Sequence, residues 1–489
     1  MKARFSVYIL SFLILVPLCS VAQNFDDMVA AMTPQSLPQI NVEFAVAPVS
    51  DRYVSGTITV AEYGKKAFTH YCQLKLRGQT ALYLPKKSYA VKLVDDQGEN
   101  LDDNLLGLRN DNNWILDAMA IDKMRMRNRV IFDIWNEFSH TMWNTNYDNR
   151  NGTVGTMVEV YLNGSYNGIY CLSDKVNRKL LNLRKAKENS DGTVTVKGLL
   201  YKGINHKLSD MLLDYEDEPT EGLTWNSFEL QHPDDYPSLS TWQPLMDLID
   251  FNGKSDDLYF REHYKQWYYV DNLIDYWILL VAFGLDDMPY KNTFLSTPDI
   301  NFEHCFMLTP WDLDASLGRS YDGTLANYTA ELDRLDYYGP FNRIIQYNID
   351  GYKNKVARRW LQLVDAQLSP ANFESHIRAI AQRYVDSGAW GREAARWPDY
   401  NIRVNANINT EINYIIRWYN NNITYITAQL QSSWLNAQED VDTISVDTIT
   451  RIYNYLLGID STFDEKIDLN HDGQINTNDV TTAYTILMN

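Results

Sequence analysis

The chain has 489 residues, 45% of them apolar, and its formal net charge at pH 7 is -19. This length is enough for a large core and two or three domains. The acidic balance argues against a nucleic-acid-binding protein, because phosphate contacts need a basic face. After the first twenty residues, no apolar run approaches the length of a membrane span.

The amino-terminus has the layout of a secretory signal peptide. Lys2 and Arg4 precede an apolar run over residues 5–18, and Ser20-Val21-Ala22 then resembles an A-x-A cleavage site. We therefore expect a signal peptide over residues 1–22 and a secreted or surface-associated mature protein.

Strand signals dominate after a lead-in segment over residues 23–36. A helix is predicted over residues 122–138, where apolar side chains recur at every fourth position. Alternating apolar residues predict strands over 40–46, 54–60, 71–76 and 88–93, and a β-hairpin over 157–172 with its turn at Asn163-Gly164. These elements predict a small β-rich lobe.

The later part of the chain reads mainly as helices. Apolar side chains at helical spacing predict helices over residues 271–283, 352–364, 373–385 and 408–430. We therefore expect a second, mainly helical lobe.

Two short segments carry acidic residues in a pattern that suggests metal chemistry. An apolar run over 307–310 is followed by Asp312 and Asp314, as if a strand delivered carboxylates to the mouth of a cleft. Asp287 and Asn292 have the D-x-x-x-x-N spacing of the protein-kinase catalytic loop, where the Asp accepts the substrate proton and the Asn holds Mg²⁺. Spacing alone leaves a second interpretation open, in which these aspartates only stabilise turns.

Lys87 directly precedes the strand predicted over 88–93, and Lys92 lies within that strand. Because strand side chains alternate, Lys92 shares a face with Ala90 and Lys87 shares one with Tyr89. Only one of the two lysines can face a given cleft, and the alternative for either is a solvated surface lysine.

Taken together, these segments resemble the spore-coat protein H (CotH) kinase family over residues 37–431. The resemblance is carried by five ordered motifs: Leu76-Arg77-Gly78 with Pro85-Lys86-Lys87-Ser88-Tyr89, Asn113-Trp114 through Asp122-Lys123 to Arg127-Asn128, Val158-Glu159-Val160-Tyr161-Leu162-Asn163-Gly164 with Gly168-Ile169-Tyr170, Lys291-Asn292, and Pro310-Trp311-Asp312-Leu313-Asp314-Ala315-Ser316-Leu317-Gly318. It implies an α+β, two-lobed atypical protein-kinase-like fold that uses ATP with Mg²⁺ or Mn²⁺.

The resemblance also implies roles for particular residues. Asp287, with the adjacent Asp286 as alternative, would be the catalytic acid of the loop. The implied metal ligands are Asn292 and Asp312, with Asp314 as the competitor for the role of Asp312. Phosphate binding would fall to Lys87 or Lys92, and to Arg77 and Gly78 because no G-x-G-x-x-G loop precedes the lysines. The helix over 122–138 would take the place of the kinase αC helix.

Residues 468–479 fit a calcium-binding loop, with Gly473 at position 6 and Ile475 at position 8. The candidate Ca²⁺ ligands are Asp468, Asn470, Asp472, Gln474, Asn476 and Asp479. The following helix pattern echoes residues 449–457, and this duplicated loop-helix resembles a dockerin. We expect a small α-helical calcium-loop domain over 444–489 behind a linker over 432–443, binding one Ca²⁺ and a cohesin-like partner. The alternative is a module that packs on the main domain and stabilises it.

The leading functional hypothesis is an exported kinase that transfers the ATP γ-phosphate to a hydroxyl of a protein, serine first, or of a glycan. The alternative is a catalytically silent surface protein that binds a ligand on the kinase-like scaffold and uses the dockerin-like tail for assembly. Metal-dependent hydrolysis ranks below both, because the eight histidines include no H-E-x-x-H pair.

Overall fold

The computed structural model describes residues 24–144, 148–205, 211–285, 287–289, 291–326, 332, 335, 337–438, 446–462, 467–470 and 472–488. Helices and sheets are both extensive in these ranges, which confirms the predicted α+β class. The predicted signal peptide and Asp286 lie outside the described residues.

Seven strands form a closed barrel in the amino-terminal part. They are β1 (Gln39–Phe44), β2 (Val54–Ala61), β3 (Phe68–Arg77), β4 (Ser88–Val94), β5 (Asn113–Asp117), β6 (Gly155–Leu162) and β7 (Ser165–Asp174). The order around the barrel is β1-β2-β3-β4-β5-β7-β6, and the parallel pairing of β1 with β6 closes it. Every second residue points inward, so that Ile58, Leu74, Val91 and Trp114 share one core. All the strands predicted here exist, but their closure into a barrel was not predicted.

A second sheet lies in the part of the chain that was expected to be mainly helical. The remaining strands are β8 (Lys187–Glu188), β9 (Val194–Thr195), β10 (Leu199–Gly203), β11 (Thr224–Trp225), β12 (Phe228–His232), β13 (Thr293–Thr297) and β14 (Met307–Pro310). β8 pairs with β9, and the other five form an antiparallel sheet in the order β11-β12-β10-β13-β14. The apolar run before Asp312 is therefore a strand, as predicted, whereas its partner β13 was missed, as were β10 and β12 of the same sheet.

The structure contains the helices that the sequence pattern predicted and several that it did not. They are α1 (Phe25–Ala30), α2 (Arg127–Phe138), α3 (Leu239–Lys254), α4 (Asp257–Trp267), α5 (Val270–Phe283), α6 (Gly339–Gln346), α7 (Tyr352–Val364), α8 (Pro370–Asp386), α9 (Ala389–Arg396), α10 (Ile408–Gln429), α11 (Val446–Leu456) and α12 (Thr477–Met488). The four long helices predicted beyond residue 270 correspond to α5, α7, α8 and α10. α5 is buried on all sides from Asn272 to Phe283, and α2, α7 and α10 pack around it.

α2 begins five residues later than the apolar pattern predicted. Arg125 has a left-handed backbone with φ of 57°, which no helix interior accommodates. The Asp122 carboxylate instead accepts the backbone N–H groups of Met126 at 2.6 Å and Arg127 at 2.7 Å. These bonds satisfy donors that the first helical turn leaves free.

A buried ion cluster joins the barrel to the helices. Glu393 in α9 accepts hydrogen bonds from Lys86 Nζ at 2.8 Å and Arg125 Nε at 2.7 Å, and all three side chains are fully buried. Burial alone would raise the pKa of Glu393, but the two cations hold that pKa below its usual range. The cluster approaches Gly168 of β7 so closely that a Cβ there would lie 2.3 Å from Glu393 Oε2.

The last two helices share a small core of their own, made of Ile449, Ile452, Ile467, Ile475, Val480 and Ala483. Arg451 of α11 forms an ion pair with Glu262 of α4 at 3.3 Å. Within the described ranges, no helix combines the length and apolarity needed to cross a membrane.

Candidate functional site

A cleft of about 580 Å³ lies where the barrel meets the second sheet. Its walls come from β3, β4 and β5 on the barrel side and from β10, β12 and β13 on the sheet side. Its volume is in the range of small-molecule sites. Six of the residues predicted from the sequence line it together: Arg77, Gly78, Asp287, Asn292, Asp312 and Asp314.

Two of the aspartates follow β14 directly. Asp312 adopts a left-handed backbone with φ of 59°, a conformation that aspartate tolerates better than most residues. Its side chain reaches solvent inside the cleft, whereas Asp314 is half-buried. Neither carboxylate accepts a hydrogen bond or forms an ion pair within the part of the chain that the structure describes.

The surrounding protein raises the pKa of both Asp312 and Asp314. Partial removal from water raises the pKa of Asp312, Arg77 opposes this shift, and the nearby Asp117 adds to it. Burial followed by repulsion from Asp312 and Asp117 raises the pKa of Asp314 well above its usual value. Carboxylates that crowd each other without a donor favour a cation between them.

The loop before β13 supplies the third acid. Asp287 Oδ2 accepts a hydrogen bond from Asn292 Nδ2 at 3.0 Å and forms an ion pair with Lys291 Nζ at 2.9 Å. Asn292 has φ of 65°, and its backbone N–H donates to Gly203 of β10, which ties the loop to the sheet. The side chains of Asp287 and Asn292 are thus hydrogen-bonded to each other through the Asn292 amide nitrogen, and the Asn292 amide oxygen stays available as a ligand.

Asn128 of α2 links the barrel to the acidic loop. Its Nδ2 donates to Asp117 Oδ2 at 3.3 Å, and its Oδ1 accepts the backbone N–H of Leu313 at 3.1 Å. Asp117 ends β5, and Met119 N–H donates to its Oδ1 at 3.0 Å. Sequence reasoning missed Asp117, although an apolar run ending in an aspartate was also the signal that found Asp312.

Each wall of the cleft contributes a basic side chain, Arg77 from β3 and Lys202 from β10. The Arg77 guanidinium lies 5.3 Å from the centroid of the Trp311 ring, and Lys202 Nζ lies 5.8 Å from the same ring. Burial lowers the pKa of Lys202 to about 8, and the proximity of Arg77 adds to this effect. Lys202 belongs to β10, a strand that the sequence analysis missed.

The structure does not bring the two lysines chosen from the sequence to this site. Neither Lys87 nor Lys92 is among the described residues that line the cleft. Lys87 Nζ donates to the backbone oxygen of Leu82 at 2.5 Å. Lys92 lies further along β4, paired with Asn113 of β5. The position of a lysine in a strand predicts which face of the sheet its side chain occupies. It does not predict which face borders the cleft, because the opposite wall belongs to a sheet that was not predicted.

In the described ranges, no group of three His, Cys, Asp or Glu side chains is arranged to hold a metal ion. Mg²⁺ usually binds proteins through one or two carboxylates together with water and substrate phosphates. The donor set of Asp312, Asp314 and the Asn292 amide oxygen consists of hard oxygen ligands, which fits Mg²⁺ or Mn²⁺.

The six candidate calcium ligands form one compact loop where they are described. Asp468 accepts the backbone N–H groups of Asp472 at 3.1 Å and Gly473 at 2.7 Å, and Gly473 has φ of 80°. Asp479 accepts those of Leu469 at 2.8 Å and Asn476 at 2.7 Å. The Asp479 carboxylate therefore joins the two ends of the loop, and the Asp468 carboxylate ties its start to its middle.

The cleft brings crowded carboxylates together with basic side chains, a combination that is typical of phosphotransferase sites. A sequence model described as CotH kinase protein matches residues 74–426, more than two thirds of the chain and all six predicted residues that line the cleft. The chain therefore belongs to the CotH kinase family, which in general implies a kinase-like protein that uses ATP and a divalent metal. A comparison with curated proteins gave no match. The matched range ends before α11 and does not include the calcium-loop segment.

Proposed function

We propose that the protein is an atypical kinase that transfers the γ-phosphate of ATP to a hydroxyl group, with serine in a protein as the preferred acceptor and a glycan hydroxyl as the alternative. The observation that carries the proposal is the convergence of Asp287, Asn292, Asp312 and Asp314 in one cleft with Arg77 and Lys202. In this proposal the barrel acts as the small lobe of a kinase-like fold, and the second sheet with its helices acts as the large lobe.

Asp287 is the proposed general base. The acceptor oxygen forms a bond to the γ-phosphorus while the bond from that phosphorus to the β,γ-bridging oxygen breaks, so that ADP leaves and the hydroxyl proton passes to Asp287. The contacts from Asn292 and Lys291 support this role, because they fix the carboxylate in one orientation. Asp286, the other base candidate, is outside the described residues.

Asp312, Asp314 and the Asn292 amide oxygen are the proposed ligands for Mg²⁺ or Mn²⁺. The metal would neutralise charge on the transferring phosphate. Asn128 supports the arrangement by holding the backbone of the acidic loop at Leu313 while it contacts Asp117. Such positioning is most of what phosphoryl transfer asks of a protein.

Arg77 and Lys202 are the proposed phosphate-binding cations in place of Lys87 and Lys92. Both line the cleft, and both lie close to the Trp311 ring. Gly78 follows Arg77 in the exposed turn after β3, where φ of 101° suits glycine, and a backbone without a side chain lets phosphate approach closely.

The test compares the purified wild-type protein with Asp312→Ala and, as a matched control, with Asp51→Ala at an exposed loop position. ATP binding is measured by calorimetry with Mg²⁺ or Mn²⁺, and transfer is measured with γ-labelled ATP. We expect metal-dependent binding and autophosphorylation in the wild type and the control, and loss of both in Asp312→Ala. An absence of ATP binding in the wild type with either metal would reject the kinase proposal and favour the silent scaffold.

We further propose that the carboxy-terminal segment is a dockerin-like module that binds one Ca²⁺ and a cohesin-like partner. The closed loop formed by Asp468 and Asp479 supports this, because both carboxylates are buried and lie where positions 1 and 12 of a calcium loop fall. Export through the amino-terminal signal peptide completes the proposal and places the reaction outside the cytoplasm.

A further inference from the structure

A second pocket shares no lining residue with the cleft, and its lining is strongly basic. Its volume is about 490 Å³, and it is lined by Arg178, Asn182, Leu183, Arg184, Lys185 and Lys197. Four of these six residues carry positive charge. The segment from Lys175 to Lys187 contains six lysines and arginines and no acid, in a chain whose net charge is -19.

The cations of this pocket are mostly not neutralised by protein. Within the described ranges, Arg178, Lys185 and Lys197 form no ion pair, and Arg184 lies 3.7 Å from Asp299 with its side chain 70% exposed. Arg178 donates one hydrogen bond to the backbone oxygen of Leu183 at 3.2 Å, which helps to fix the loop. Four positive groups facing one space repel each other, and an anion stabilises them together.

The chain itself connects this pocket to the cleft. Lys175, at one end of the basic segment, lines the cleft, whereas Arg178 three residues later lines the pocket. On the other side, Lys197 precedes β10, and Lys202 near the end of β10 lines the cleft. Five residues of extended chain span roughly 16 Å, so the pocket lies within a short peptide's reach of the proposed phosphate cations.

We propose that this pocket binds a phosphate group carried on a peptide, so that an already phosphorylated segment docks while a neighbouring hydroxyl enters the cleft. A phosphoserine has a charge near -2 and three acceptor oxygens, which matches a site with two arginines and two lysines better than one carboxylate does. The exposed Arg184 and Lys185 leave the pocket open for a chain to enter and leave. The choice of this substrate class rests on the proposed kinase function.

The binding test uses fluorescence polarisation with a labelled twelve-residue Gly/Ala peptide that carries one phosphoserine, compared with the same peptide carrying serine. The test variant is Lys185→Gln/Lys197→Gln, because these side chains make no hydrogen bonds in the described structure. The matched control is Lys65→Gln/Lys66→Gln, which removes the same charge from an exposed turn. We expect the phosphopeptide to bind at least about tenfold more tightly than the serine peptide, and only the pocket variant to lose this difference.

Equal binding of the two peptides, or an equal loss in the control variant, would overturn the proposal. Displacement of the phosphopeptide by inorganic phosphate at a concentration equal to that of the peptide would also overturn it, because the pocket would then read the free ion. The assay contains no nucleotide, so it keeps its readout if the kinase proposal fails. Conversely, if Lys185→Gln/Lys197→Gln binds ATP with the wild-type affinity, the cleft is intact in this variant. A failure of the phosphopeptide proposal then says nothing against the kinase proposal.

Discussion

Lys202 should make nucleotide binding weaken with rising pH in a range where ATP itself no longer titrates. Burial lowers the pKa of Lys202 to about 8, so about nine tenths of the side chain is protonated at pH 7 and about one tenth at pH 9. A bound phosphate favours the charged ammonium and therefore raises this pKa in the complex. The protein must then take up a proton to bind above pH 8, and the dissociation constant should rise about tenfold from pH 7 to pH 9.

Calorimetry with Mg-ATP at pH 7, 8 and 9, repeated in buffers of different ionisation enthalpy, measures both the affinity and the proton uptake. Lys202→Arg should bind with little pH dependence, because the guanidinium stays charged throughout. Lys202→Met should bind weakly at every pH. Lys92→Met is the matched control, since Lys92 lies outside the cleft lining, and it should keep the wild-type pH profile.

A flat wild-type profile between pH 7 and pH 9 would refute the role of Lys202. Loss of the pH dependence of ATP affinity in Lys92→Met would also refute it, because Lys92 would then be the lysine that binds phosphate.

Three further outcomes follow from the structure. Glu393→Gln should lower the free energy of unfolding by about 3 kcal/mol in urea denaturation, because Lys86 and Arg125 would be left buried with a neutral partner. Gly168→Ala should lower the melting temperature by several degrees, since φ is 116° and the new Cβ would lie 2.3 Å from Glu393 Oε2. Asp468→Ala should abolish the calcium-induced rise in melting temperature that we expect of the carboxy-terminal segment.

The controls for these variants are exposed or remote. Glu374→Gln breaks an exposed ion pair with Arg378 and should change stability by less than about 0.5 kcal/mol. Gly64→Ala places a Cβ in open space at φ of 73° and tests the backbone effect without the clash. A calcium response that survives in Asp468→Ala would contradict the proposed loop, and equal effects of the two glycine variants would contradict the argument from the ion cluster.

The sequence predicted the elements that depend on local patterns. Met307–Pro310 was found because an apolar run ended in two aspartates, and the hairpin of β6 and β7 was found because Asn163-Gly164 offered a turn. α2 was placed too early because its apolar spacing continues into a segment where Arg125 has a left-handed backbone. Apolar spacing does not report backbone handedness, so this start was not predictable from periodicity.

The sequence analysis named Arg77 but missed Lys202, the second proposed phosphate-binding cation, and the reason is physical. Lys87 and Lys92 were chosen because they stand beside a clear strand, but a cleft has two walls, and the second wall here is β10. That strand is only five residues long, and its pairing with β12 and β13 joins segments that are far apart in the chain. The proposed role of Lys202 depends on its burial beside Arg77 and Trp311, and all three come from different strands or loops. The charge that we propose for phosphate binding is thus a property of the assembled cleft, and the titration of Lys202 is the most direct measurement of it.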